Sequence, residues 1–569
     1  MNLHSSPSAQ ASEPTQITVG ELIARFLEQA NVLAAFGVIS IHNMPILDAF
    51  HRRQKLRFVS SRGEAGACNM ADAYARASGG LGVFVTSTGT GAGNAAGALI
   101  EAYTAGTPLL HLTGQIESDY VDQDLGYIHE APAQLAMLKS VGKAAFRIRN
   151  TQSALSVLQE AYRLAMTAPR GPVSIEIPID VQGALMDVPA DLCPPAIKPM
   201  SPDPFKIEQL YERLKTAKRP LLWLGGGARD AKAAVERFVR MGFGVVTSVQ
   251  GRGILAESHP STLGSYNLQK PVEAFYQTCD AMVVVGSRLR SNETLKYQLK
   301  LPKHLFRIDA DALAQNKGYN SEVFVQGDAS LCLDALADRI EAGAALQIDP
   351  QLLDDLAVAK SKAQAQVDDA IGPYNALQQA VRALAKEDLW WVRDITLSNT
   401  MWGNRAPELH HARAGVHALG GGIGQGMPMA VGVSVANSVL GLQRTTLVLS
   451  GDGGLVLNLG ELACAVQERA QMVILLMNDK SYGVIRNIQD DIYGSRHCYV
   501  DLHNPHFETL CQSLGMGFYR LKEPQDVGTV LAQAVKKTQE LHVPVMVEVD
   551  MMAWGPFKAK FAGPILKKD

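Results

Sequence analysis

Two aspartates stand where a carboxylate can hold a metal. Asp452 lies between Gly451 and Gly453 directly after the aliphatic run TTLVLS, and Asp479 follows Asn478 directly after MVILLM. A carboxylate at the carboxyl end of a strand, flanked by glycines that allow close backbone approach, suits a hard divalent cation carrying a phosphate ligand. The two are 27 residues apart, the length of a helix plus a strand, so neighbouring parallel strands can carry both to one edge. Either alone reads as an ordinary turn aspartate; the coupled pair does not. Glu64, in Ser61-Arg62-Gly63-Glu64-Ala65-Gly66-Ala67, sits at a strand-to-helix junction, where an acid at least complements the helix dipole. The segment Gly420-Gly421-Gly422-Ile423-Gly424-Gln425-Gly426-Met427-Pro428 reads as a turn in which backbones approach closely around one apolar side chain.

These residues need elements to hold them. A chain of 569 residues implies about three domains. The stretch VPADLCPPAIKPMSPDPF (188–205) is too proline-rich for a helix or a central strand and ends the first of them. A polar, alanine-rich connection over about 342–373 separates the other two. The expected layout is a polar arm (1–16), domains over 17–187, 205–342 and 366–550, and a basic tail (551–569). Each domain repeats short aliphatic runs, glycine turns and amphipathic stretches. In the first, LGVFVTST (81–88) reads as a strand, GTGAG as a turn, NAAGALIEAYTAG as a helix and PLLHLTG (108–114) as the next strand. The expectation is α/β: three doubly wound parallel-sheet domains in series, with ligands beyond the carboxyl ends of the strands.

Composition narrows the function. Hydrophobic residues make up 47% and charged residues 19%, which excludes a largely disordered chain. With 53 basic and 56 acidic side chains the net charge is −3, so no strong field recruits nucleic acid or an anionic membrane. The most apolar long stretch, 426–442, is shorter than the roughly 20 residues of a membrane span and contains Asn437. Seven scattered cysteines without a CxxC pair, and an N-terminus without a signal-peptide core, give the expectation of a cytoplasmic enzyme of small molecules.

Taken together, the three motifs resemble the thiamine diphosphate (ThDP) enzymes of the acetohydroxyacid synthase, benzoylformate decarboxylase and pyruvate decarboxylase group, and the resemblance covers nearly the whole chain. It implies an ThDP pyrimidine-binding first domain, a Rossmann-like central domain and a diphosphate-binding last domain. It also implies a Mg²⁺ held by Asp452, Asp479 and the backbone carbonyl of Ser481, with Gly451, Gly453 and Tyr482 beside the cofactor. Many relatives have asparagine in place of Asp479, which adds charge here without removing a ligand. Glu64 would hydrogen-bond N1′ of the aminopyrimidine, Gly421 would accept from its 4′-amino group, and Ile423 would prop the two rings into a V. Thr396, in Asp394-Ile395-Thr396-Leu397-Ser398, would bind diphosphate. Asn94, in Gly89-Thr90-Gly91-Ala92-Gly93-Asn94, falls beside the pyrimidine. Gln115, in Thr113-Gly114-Gln115, would face the reacting carbon, and His129 falls near the substrate, where an imidazole can act as acid or base.

The implied activity is decarboxylation of a 2-oxo acid with carboligation, at sites shared between subunits of a homodimer or homotetramer. The substrate pocket is expected from Ile41, Ser87, Gln115, His129, Val484 and Ile485. Ser87 stands where benzoylformate decarboxylase has a histidine, and the histidine pair of pyruvate decarboxylase is missing around His111-Leu112, which favours carboligation over simple aldehyde release. In the central domain, Leu224-Gly225-Gly226-Gly227 is not a spaced dinucleotide fingerprint, and Arg288-Leu289-Arg290-Ser291-Asn292 departs from the run of the FAD-binding relatives. FAD is therefore not expected and ADP stays open. Two other readings remain: a 2-hydroxyacyl-CoA lyase or oxalyl-CoA decarboxylase-like enzyme, and a non-catalytic ThDP-binding regulatory protein, against which the retained Glu64, Asp452, Asp479 and Ile423 argue.

Overall fold

The computed structural model describes residues 15–385 and 388–560. All but the last two residues of the expected arm, and residues 561–569 of the expected tail, lie outside the described part. The rest forms three α/β domains, each built on a six-stranded parallel sheet.

The first sheet runs in space Arg57–Ser60, Ala34–Gly37, Gly82–Thr86, Leu109–Gln115, Pro172–Pro178, Ala144–Arg147. The last follows the same order of strands along its own sequence: Gly415–His417, Trp390–Arg393, Thr446–Gly451, Met472–Asn478, Val545–Asp550, Gly517–Leu521. In both, the order reverses between the first and third strands of the domain. The central sheet differs: Thr262–Gly264, Gly244–Thr247, Pro220–Leu224, Ala281–Val285, His304–Asp309, Val323–Gln326, the dinucleotide-fold order, with its reversal between the first and fourth strands. Such reversal points leave a crevice at the carboxyl ends of the strands, because the helices leaving the two strands pass to opposite faces.

The sheets hold the domains together through the two-residue period of their strands. In the last domain Trp391, Leu447, Leu449, Val473 and Leu475 pack into a core shared with the central domain. The alternate residues Trp390, Val392, Val448, Ile474 and Leu476 pack into a core shared with the first. That second core rests on two helices. Gly426–Val439 is apolar on all sides and buried on all sides. It lies so close to Glu64–Ser78 that a β-carbon on Gly432 would fall 2.1 Å from the Met70 carbonyl oxygen. Glu64–Ser78 itself ends at Gly79, whose φ of +82° needs glycine or close to it.

Local differences from the sequence reading have simple causes. The helix after Gly82–Thr86 begins at Thr90, so the glycines expected as a turn form its first turn, a cost in helix propensity accepted for close approach. Residues 188–203 carry neither helix nor strand. The connection before the last domain holds a helix of 20 residues, Leu352–Ile371. The described part of the tail packs against the end of that connection: Trp554 and Phe557 lie on the Tyr374 ring, and the Tyr374 hydroxyl donates to the Gly555 carbonyl at 2.6 Å.

Candidate active site

The register of the last sheet sets Gly451 beside Met477, so Asp452 and Asp479 leave adjacent strands at one edge. Asp452 is 1% exposed, and the two carboxyls share a hydrogen bond. Burial first, and then the charge of Asp452, push the Asp479 carboxyl up to about 7; burial raises Asp452 as well. Asn504 donates to Asp452 at 2.6 Å and to the Asn478 side-chain oxygen at 3.2 Å, and Asn478 donates to Glu548 at 2.7 Å. The Ser481 N–H donates to Asp479 at 3.1 Å. Residues 480–502 leave and return as a closed excursion, with Tyr482 N–H donating to Val500 and Leu502 N–H to Lys480, both at 2.9 Å. The Tyr482 ring covers Gly453, where a β-carbon would approach it to 2.8 Å. A buried and a half-buried acid held face to face, with hydrogen-bond donors on their outer sides, suit a cation between them: a cation would remove the mutual repulsion and the cost of desolvating the charge. The Asp452 and Asp479 carboxylates and the Ser481 carbonyl are hard oxygen ligands of the kind that could hold Mg²⁺.

The glycine-rich segment is fixed at both ends. Leu419 and Gly420 N–H donate to the Glu101 carboxylate at 2.6 and 2.5 Å. Gly424 N–H donates to both oxygens of Asp394 at 3.0 Å. Burial pushes Asp394 up to about 7 despite backbone donors from Ile395, Gly424, Gln425 and Gly426. Gly421 and Gly424 have φ of +89° and +82°, conformations that spare the turn strain only as glycine. The result is a rigid tip that leaves Ile423 39% exposed. Thr396 lies against Gly451, and its hydroxyl accepts from Asn399 N–H at 3.0 Å.

The other group lies in the first domain. Asn94 donates to Glu64 at 3.1 Å. A β-carbon on Gly91 would fall 3.1 Å from a Glu64 oxygen and 2.9 Å from the Ser87 β-carbon, so these residues are contiguous. The turn entering Glu64 is held by the last domain of the same chain: Glu461 accepts from Arg62 N–H at 3.1 Å, and burial pushes Glu461 up to about 7. Gln115 is buried, its oxygen accepting from Thr88 at 3.0 Å and from Ile116 N–H at 2.8 Å. His129 is exposed on the loop after Gln115. One chain thus gathers Glu64 with Asn94 and Ser87 in one group, and Asp452, Asp479, Ser481, Tyr482, Thr396 and Ile423 with their glycines in another.

Three family models match the chain domain by domain. Residues 17–137 match the model "Thiamine pyrophosphate enzyme, N-terminal TPP binding domain", 207–336 its "central domain" and 397–549 its "C-terminal TPP binding domain". A "Probable 2-ketoarginine decarboxylase" of Pseudomonas aeruginosa is 30% identical over 90% of this chain and 90% of its own length. The chain belongs to the thiamine diphosphate-dependent enzyme family. A Corynebacterium glutamicum "Acetolactate synthase large subunit" is 28% identical over 95% of this chain and 87% of its own. The solved structure of a "putative thiamin diphosphate-dependent enzyme" from Mycobacterium smegmatis superposes with a TM-score of 0.75 at 23% identity, covering 94% of this chain and 99% of that one, which shows the fold alone.

Within this ThDP-family chain, sequence reasoning missed Asp394, Glu101, Glu461 and Asn504, all of which position functional segments. Asp394 alone carried a signal, as an acid at a strand end. The rest act across domains or long loops, which no local pattern reveals. A cavity of about 220 Å³ lies at the crevice of the central domain, closed by Arg76 and Arg170 of the first domain and Arg413 of the last. It is lined by Gly226, Gly227, Arg229, Arg288, Arg290 and Asp309 among others, and by no described residue of the tail. Gly225 is a packing glycine, since a β-carbon there would fall 2.2 Å from the Gly286 carbonyl. Arg229 is half-buried, donates to Gln250 at 2.6 Å, leaves its Nε without a partner among the described residues, and is pushed down to about 9 by desolvation and by Arg76 and Arg413. No helix among the described residues is long and apolar enough to cross a membrane.

Proposed function

We propose that this family member is a ThDP- and Mg²⁺-dependent enzyme that decarboxylates a 2-oxo acid and joins the remaining fragment to a carbonyl acceptor, in the manner of an acetolactate synthase. The observation that carries the reading is the facing pair of buried Asp452 and half-buried Asp479 at one sheet edge. Bound ThDP supplies a nucleophilic carbon and an electron sink for carbon–carbon cleavage. The chain's own residues do the remainder. Asp452, Asp479 and Ser481 hold the Mg²⁺ that anchors the diphosphate, and Thr396 and Tyr482 line that end. Ile423 and Gly421 set the angle between the rings. Glu64 holds a proton at N1′ of the pyrimidine, with Asn94 fixing its carboxyl. Gln115 and His129 face the substrate, and the apolar side chains Ile41 and Ile485, 67% and 48% exposed in the single chain, help to exclude water once covered.

The Glu64 group and the Asp452 group belong to two halves, each with exposed apolar neighbours, and the reading pairs them across a homodimer, alone or within a tetramer. A second reading, an acyl-CoA lyase or decarboxylase with ADP in the central domain, is favoured by the arginine-lined cavity and its half-partnered Arg229. Purified protein with ThDP and Mg²⁺, offered a panel of 2-oxo acids and acyl-CoAs, separates the two. CO₂ release and a carboligated product from a 2-oxo acid support the first; turnover of acyl-CoA alone supports the second. Neither activity would leave ThDP binding without turnover and contradict both.

A further inference from the structure

At the carboxyl edge of the first sheet, histidines from two different loops meet. His42 lies in the turn Ile41–Asn43 after strand Ala34–Gly37, and His129 in the loop after strand Leu109–Gln115. Their ring centroids are 5.2 Å apart with the planes at 72°, an edge-to-face contact. Neither placement is incidental. Asn43 clamps the His42 turn by accepting from Ser40 N–H at 2.8 Å and donating to the Val38 carbonyl at 2.9 Å. Gln182 donates to the His42 carbonyl at 2.7 Å. Gly114 has no room for a β-carbon, which would fall 2.2 Å from the His42 carbonyl oxygen and 2.7 Å from its β-carbon, so His42 sits directly against the residue preceding Gln115. His129 is held at φ +68°, with its carbonyl over Gly89, where a β-carbon would approach it to 2.2 Å. Gly89 in turn adjoins Ser87, whose buried hydroxyl has no partner among the described residues, and through Gly91 the path reaches Glu64. Two glycines at the ends of neighbouring strands thus seat the two histidines, His42 against the residue preceding Gln115 and the His129 backbone against the turn that leads to Gly91 and Glu64.

We infer that His42 and His129 form one proton-holding pair at the substrate end of the site, with exposed His129 as the ring that meets the substrate and buried His42 as the positioning residue behind it. The inference rests on the proposed 2-oxo acid reading for the identity of the reacting carbonyl, but the coupling of the rings does not. When a bond to the carbonyl carbon forms, the His129 N–H bond breaks and an O–H bond forms on the carbonyl oxygen, leaving neutral imidazole. On cleavage the imidazole lone pair takes that proton back. His42 is suited to stay neutral, since burial and the charge of His129 lower its proton affinity while the Glu117 carboxylate raises it. A neutral neighbour keeps the His129 ring in one orientation without adding a second fixed charge.

The test has one arm free of turnover. Histidine Cε1 is labelled with carbon-13 and ring signals of the cofactor-free protein are followed against pH in wild type, His129→Gln and His42→Gln, with ThDP binding confirming that each variant is folded. Removing His129 should raise the His42 midpoint by roughly half a unit to one unit, the size expected for two like charges at this spacing. In the second arm, with pyruvate and other 2-oxo acids as probes, His129→Gln should lower kcat/KM about 100-fold and His42→Gln about 10-fold with a displaced pH limb. An unmoved His42 midpoint in His129→Gln, or a His42→Gln pH profile superimposable on wild type, overturns the pair. Because His129 is exposed, its variant keeps the first arm decisive even should His42→Gln fail to fold. Wild type inert towards every 2-oxo acid would instead sink the functional reading and leave the coupling measurement standing.

Discussion

The crevice of the last domain and that of the central domain occupy equivalent places, at the carboxyl ends of the strands where strand order reverses, yet their charges are opposite. The first gathers the buried acids Asp394 and Asp452 and the half-buried Asp479. The second gathers Arg229, Arg288 and Arg290. The sheet supplies the crevice and the residues leaving its strands choose the ligand: in the proposed function, a cation that carries phosphate in one case and an anion met directly in the other. Asp394 and Asp479 are driven up to about 7, Asp452 is raised as well, and Arg229 is driven down to about 9, all chiefly by desolvation, so each crevice holds groups whose charge a ligand of opposite sign would stabilise.

The comparison breaks most readily at Asp452. Asp452→Ala should weaken Mg²⁺-dependent ThDP binding more than about 100-fold while leaving anion binding in the central domain intact, and Asp479→Asn should stay within about tenfold of wild type because an amide oxygen can still ligate. Calorimetric titration of both variants decides this; equal losses would mean that the ligand assignment is wrong. Next in size, Glu64→Gln should keep ThDP bound but slow hydrogen–deuterium exchange at its C2 by roughly 10²- to 10⁴-fold, and near-normal exchange would remove Glu64 from that role.

Arg229→Gln tests the other crevice. ADP binding should fall about tenfold, the loss of a charge-assisted hydrogen bond, with ThDP affinity unchanged. The purified protein is also expected to be colourless and active without added FAD; stoichiometric flavin would contradict the assignment of this cavity.

The smallest effect is on stability. Asp394, Glu461 and Asp479 are pushed up to about 7 when folded, against about 4 unfolded. The folded chain therefore keeps protons that the unfolded chain releases. The stabilisation from these groups is full below about pH 4 and is lost as pH rises through about 7. Tm of the cofactor-free protein should fall over that window relative to protein saturated with ThDP and Mg²⁺. Asp479→Asn should flatten part of the fall, and an unchanged slope in that variant would show that the pair is not the source.

How far the sequence foretold this differs between fold and site. Strand ends such as Gly82–Thr86, Thr446–Gly451 and Met472–Asn478 are legible because a strand buried on both faces writes a continuous aliphatic run. Asp452 and Asp479 are legible because glycine and strand end bracket each one. His42 was not, since a histidine after a strand has no pattern of its own, and its meaning lies in a ring 87 residues away. Glu461 likewise acts on a turn of another domain, at Arg62, which only the packing of Glu64–Ser78 against Gly426–Val439 brings near. The first turn of the helix at Thr90 was misread because its glycines serve the approach of Glu64 and Ser87, not helix propensity.

The most direct test of the central claim is the binding of ThDP to the wild-type protein as a function of free Mg²⁺, read by calorimetry and by bound-metal analysis. The account predicts tight binding with one Mg²⁺ per ThDP per chain, lost in excess EDTA and restored by Mg²⁺. ThDP bound equally well in EDTA, or with no metal retained, would contradict it.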